Sequence, residues 1–182
     1  MTAVTPHPAP GAAAPPSRYL RGMARRLLLA LLATALLVPA TATAAHASVW
    51  ATVNVCDTAT APNTIGLRGS MPGSARAGAT MWIRFQAQYK ASRTRWKAAT
   101  ALDTGFLNIG SAKVRSRQAG HSFQLKAPAK GRSYLLRGLL TFQWRTKKGA
   151  AYRTVRRVTT AGHHSTAGAD PPGHSAATCR IR

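Results

Sequence analysis

The chain has no glutamate and only three aspartates, Asp57, Asp103 and Asp170, against 26 lysines and arginines. A hydrolase built on two carboxylates would have to draw its pair from those three. Asp57, after Cys56, and Asp103, in Leu102-Asp103-Thr104-Gly105, both read as turn residues. The Asp-Thr-Gly triplet occurs once, whereas an aspartic protease needs two such loops and far more chain. Cysteine is equally scarce: with two in the chain, a four-cysteine zinc site and a CxxC redox pair are both excluded. The longest apolar run, Leu27 to Val38, falls short of the ~20 residues that span a bilayer. Gly173-His174-Ser175-Ala176 lacks the final glycine and the strand-to-helix setting of a nucleophile elbow. No phosphate loop, zinc finger or RNP signature is present. The expectation is a protein without catalytic residues and without a cofactor.

What the chain does have at its start is an export address. Arg25 and Arg26 form a positive region, Leu27 to Val38 an apolar segment, and Ala45 and Ala47 the small residues a signal peptidase accepts before Ser48. A signal peptide over residues 23–47 is expected. The Pro- and Ala-rich stretch at residues 1–22 reads as a disordered extension or the product of an early start codon. Arg25-Arg26-Leu27-Leu28 also fits a twin-arginine signal, apart from the polar residue usual before the pair. Both readings lead to a secreted or wall-associated product with no stable membrane span after cleavage, and leave one domain over residues 48–182.

Export makes the two cysteines informative. In an oxidising compartment Cys56 and Cys179 read as one disulfide, tying the first strand to the last. For a separation of 123 positions the chain-entropy argument gives roughly 4–5 kcal/mol. Four of the 26 cations, Arg18, Arg21, Arg25 and Arg26, precede residue 48. The 22 that follow face three aspartates, a formal charge of +19. Such an excess attracts polyanions over a Debye length and is weakened by salt. The expected partners are a polyanionic envelope polymer or an acidic glycan, with nucleic acid bound only through its backbone and without sequence readout.

Beyond residue 48 the hydrophobic period is two. Met81, Ile83, Phe85, Ala87 and Tyr89 alternate with Trp82, Arg84, Gln86, Gln88 and Lys90; Leu136, Gly138, Leu140, Phe142 and Trp144 alternate with Arg137, Thr141, Gln143 and Arg145. These are the two core strands. Weaker strands are expected at Val49 to Cys56, Thr64 to Met71, Arg95 to Ala98, His121 to Lys126, Ala151 to Thr159 and Ser175 to Ile181, with turn residues between them. Val155 and Val158 fall on opposite parities, which a bulge near Arg156 and Arg157 would reconcile. Seven or eight such strands predict an all-β antiparallel sandwich closed by one disulfide, because each half-wet sheet must bury its dry face against a partner.

Leu125-Lys126-Ala127-Pro128 followed by Tyr134-Leu135-Leu136-Arg137-Gly138 resembles the corner before the sixth strand of fibronectin type III and related immunoglobulin-like domains. The resemblance implies that Tyr134 is the corner tyrosine, its hydroxyl bonded back to upstream backbone. The chain beyond residue 48 also resembles small secreted actinobacterial proteins, in the phrase from Asn63 to Gly73 and in Ala167-Gly168-Ala169-Asp170. No activity follows from either likeness, since such sandwiches host adhesion, glycan binding and scaffolding alike.

In that arrangement the two core strands are neighbours. Their wet faces combine Arg84, Gln86, Gln88 and Lys90 with Arg137, Gln143 and Arg145, extended by Trp96 and rimmed by Trp82. Guanidinium forks match phosphate and carboxylate, amides reach sugar hydroxyls, and exposed indoles stack on sugar or base faces. The expected function is a non-catalytic binding or structural module for polyanions. The alternative is a zinc or copper protein, or a metal enzyme, using His163, His164, Asp170 and His174 in one Gly- and Pro-rich loop, although their spacing matches no standard metal motif.

Overall fold

Strands that are dry on one side and wet on the other can hide the dry side only against another sheet. The computed structural model describes residues 48–163 and 166–182. It contains β1 (Trp50–Cys56), β2 (Thr64–Pro72), β3 (Thr80–Lys90), β4 (Trp96–Ser111), β5 (Ser116–Gln124), β6 (Tyr134–Arg145), β7 (Ala151–Val158) and β8 (Cys179–Ile181). The N-terminal extension, the signal segment and His164 lie outside the described residues. All strand pairs are antiparallel. One sheet runs β1-β2-β5; the other runs β4-β3-β6-β7, with β8 also on β6.

The core follows the alternation. Met81, Ile83, Phe85 and Ala87 of β3 and Leu136, Leu140, Phe142 and Trp144 of β6 are buried in one cluster with Ala51, Val53, Ile65, Leu67 and Met71 of the first sheet. Gly69 marks a point where the two sheets almost touch: a Cβ there would lie 2.6 Å from Leu140 Cδ2 and 2.8 Å from Phe142 Cζ. A buried indole needs an acceptor for its N–H, and Trp144 donates to the Pro72 carbonyl at 2.9 Å.

Four local expectations are corrected. The strand expected at Arg95 to Ala98 runs to Ser111, because β4 lies at the sheet edge, where an irregular, half-exposed pattern hides the period of two. Its register against β3 shifts three times. β5 spans Ser116–Gln124 rather than His121 to Lys126; only Phe123 in it is buried, so its sequence carries little apolar signal. The last strand is three residues long, with Ala176 instead bridging to Val53. There is no bulge near Arg156 and Arg157: pairing runs unbroken from Leu139–Val158 to Trp144–Arg153, and the irregularity falls between Trp144 and Arg145. Val155 packs against the core, whereas Val158 is left 40% exposed.

The chain after β7 closes an open edge. Thr160 N–H donates to the Ala51 carbonyl at 2.8 Å, Val53 exchanges two hydrogen bonds with Ala176, and Asp170 N–H reaches the Asn54 carbonyl at 2.9 Å. Thr52 and Asn54 are buried and bonded to this tail, Thr52 to Ser175 and Asn54 to the Gly168 carbonyl. β8 then fills the part of β6, Tyr134 to Leu136, that β7 leaves unpaired. The Cys56–Cys179 disulfide fastens the end of β1 to the start of β8, with Cα atoms 5.3 Å apart.

Candidate functional site

Because β3 and β6 pair without a register shift, their outward residues stand side by side: Gln88 opposite Arg137, Arg84 opposite Thr141, Trp82 opposite Gln143 and Thr80 opposite Arg145. β4 adds Trp96 opposite Lys90 and Phe106 opposite Arg84. All eight residues expected at the ligand face, Arg84, Gln86, Gln88, Lys90, Trp96, Arg137, Gln143 and Arg145, therefore lie on three adjacent strands.

The face has two ends and a middle. At one end the Arg137 guanidinium lies 4.4 Å from the centre of the Trp96 ring and the Lys90 ammonium 4.9 Å from it. Arg137 Nε also donates to Gln88 Oε1 at 2.8 Å. Partial burial draws the Arg137 pKa below its ordinary value, yet an arginine remains charged at any ordinary pH. At the other end the Arg145 guanidinium lies 4.2 Å from the Trp82 ring and 4.8 Å from Phe106, and donates twice to Gln143 Oε1, at 2.9 and 2.8 Å. Trp82 is fixed in turn by its N–H on Thr80 Oγ1 at 2.9 Å. Each end is a cation held by an aromatic ring and an amide.

The middle is neutralised. Arg84 Nε donates to both Asp103 oxygens, at 2.8 and 3.1 Å, its Nη2 also pairs with Asp103 Oδ2, and Gln86 Nε2 donates to the same oxygen at 2.9 Å. The Arg84 hydrogen bond holds the Asp103 carboxyl below the usual carboxylate range, assisted by the Gly105 N–H and Gln86, and Asp103 raises Arg84 in return. Arg84 and Gln86 are thus committed inside the chain. Asp103 is one residue that sequence reasoning missed as part of the face. Its Asp-Thr-Gly setting is turn chemistry, and Asp103 does bond the Gly105 N–H at 2.9 Å, but this happens inside an irregular stretch of β4 rather than in a loop. Phe106 was also missed, for want of any periodicity along this edge strand.

The histidine loop is engaged in other contacts. His163 stacks on Trp50 with ring centroids 4.6 Å apart, its Nε2 lies 2.9 Å from Thr160 Oγ1, and its backbone N–H donates to Ser175 Oγ. His174 buries an Nε2 that has no hydrogen-bond partner among the described residues. Asp170 accepts from the Thr58 and Thr60 hydroxyls, which lower its pKa. Among the described residues no three His, Cys, Asp or Glu side chains are grouped to hold a metal ion. Tyr134, the expected corner tyrosine, opens β6 and is 38% exposed. It lines a groove of about 440 Å³ with Tyr89, Ala101, Leu102, Leu125 and Leu136.

No protein-family model matches the chain, and no curated protein matches it. The disulfide is consistent with an extracellular location, and among the described residues no helix is long and apolar enough to cross a membrane.

Proposed function

We propose that this is an exported, non-catalytic binding module of the cell envelope or its surroundings, and that it engages a polyanionic wall polymer or acidic glycan through the outer face of β4, β3 and β6. The observation that carries the reading is the pair of held cations. Arg137 and Arg145 are fixed by Trp96 with Gln88 and by Trp82 with Gln143. A guanidinium positioned in advance loses less freedom when it meets an anion, and its remaining N–H groups keep the fork that matches carboxylate or sulfate. The deficit of acids supports the same reading, because 22 lysines and arginines after residue 47 face three aspartates, and one of these, Asp103, is paired with Arg84.

The sandwich itself reads as immunoglobulin-like, of the fibronectin type III arrangement. Strands one, two and five in one sheet, with strands three, six and seven in the other and the fourth beside the third, support that reading; β8 and the disulfide are additions to it.

The test is titration of the protein, purified without residues 1–47, with heparin and with uncharged dextran at rising salt. Heparin binding that weakens steadily as the Debye length falls from ~10 Å at 0.1 M towards ~3 Å at 1 M, with no dextran binding, is the expected result. Equal binding of the two, or no heparin binding at low salt, would reject the reading.

A further inference from the structure

The two held cations stand eight residues apart on one strand and point to the same side, since Arg137 and Arg145 share parity on β6. Trp82 and Lys90, eight residues apart on β3, repeat that spacing across the pairing. At about 3.4 Å per residue of antiparallel strand the two ends are ~27 Å apart. Between them Arg84 is cancelled by Asp103, and Gln86 is bound to the same carboxylate. Beyond Leu139 and Thr141 the neighbouring strand offers Arg156, opposite Thr141 and exposed, as a cation with no aromatic ring against it among the described residues.

Resting on the polyanion reading above, the geometry points to a two-anchor site that recognises a linear acidic polysaccharide by length, the chain lying along β6 with one anionic group at Arg137–Trp96 and another at Arg145–Trp82. A chain shorter than the span reaches one anchor at a time. A chain that reaches both converts the second contact into an intramolecular event, so affinity rises by more than the added charge supplies. The aromatic rings favour a polysaccharide over a single-stranded nucleic acid. Single-strand binders keep aromatic faces open for successive bases, whereas here Trp82 and Trp96 are each already engaged by a cation.

The test is a size-graded series of heparin oligosaccharides whose extended lengths bracket ~27 Å, titrated at constant salt, with affinity expressed per anionic group. The expected result is a step of about tenfold or more across that length, abolished by Arg137→Gln alone and by Arg145→Gln alone, while the shortest oligosaccharides lose affinity only modestly in each variant. Both variants keep an amide in place of the fork, and far-ultraviolet circular dichroism confirms that each retains the strand signature. Affinity that climbs smoothly with length, or a step that survives both variants, overturns the two-anchor site while leaving polyanion binding intact. Absence of binding at every length removes the underlying reading as well. An equal step with single-stranded oligodeoxythymidylate of matched length overturns the assignment to polysaccharide.

Discussion

Asp103 sets how much charge the face can offer. Its carboxyl is held below the ordinary range by Arg84, so it stays ionised and keeps Arg84 engaged at neutral pH. A carboxylate with a depressed folded pKa stabilises the fold above its unfolded pKa of ~3.9, and that contribution fades as pH falls through the folded value. The Arg84 side chain is 38% exposed, and such a pair contributes about 0–1 kcal/mol. Asp103→Asn therefore has two expected outcomes. Urea unfolding shows a loss of no more than ~1 kcal/mol, and titration shows tighter heparin binding near pH 7, because a negative charge is gone and Arg84 is released. Weaker binding by this variant would mean that Asp103 organises the site rather than restrains it. Arg137 and Arg145 were legible from parity alone, since a period of two leaves no choice of side in a core strand. Asp103 was not, because an aspartate that bonds the N–H two residues on has the same local sequence in a loop as in a strand irregularity.

At the scale of elements, the face depends on β3 and β6 keeping their register, and Gly69 on β2 sets how closely the opposite sheet approaches β6. Any side chain there must displace Leu140 and Phe142, whose strand carries both anchors. Gly69→Ala is expected to cost about 1–3 kcal/mol in urea unfolding; a change within ~0.5 kcal/mol would mean that the sheets yield at that point. The two core strands were readable because each buries one face and wets the other. β4 and β5 were only partly readable, because an edge strand with mixed exposure has no such constraint. β7 shows the same limit: Val158 reads as a core residue by type, yet uninterrupted pairing turns it outward beside Leu139, where no bulge corrects it.

For the molecule as a whole, the disulfide and the tail serve one end. They cover the free edge of β1 and anchor β8 beside β6, so the first sheet does not present that edge to another chain. Both cysteines and the sandwich were legible from count and period, whereas the path of the tail was not, since it is held by backbone bonds and small polar side chains such as Thr52, Asn54 and Ser175.

The charge of this molecule is widely spread, so the central claim is that two held arginines matter more than the total. Heparin titration of Arg137→Glu/Arg145→Glu beside the charge-matched pair Lys113→Glu/Lys130→Glu, whose residues lie in loops outside the three strands of the face, tests it directly. The account predicts a loss of about tenfold or more, roughly 1.4 kcal/mol, for the arginine pair and a clearly smaller loss for the lysine pair. Equal losses in the two would contradict it, leaving binding to net charge and the face without a function.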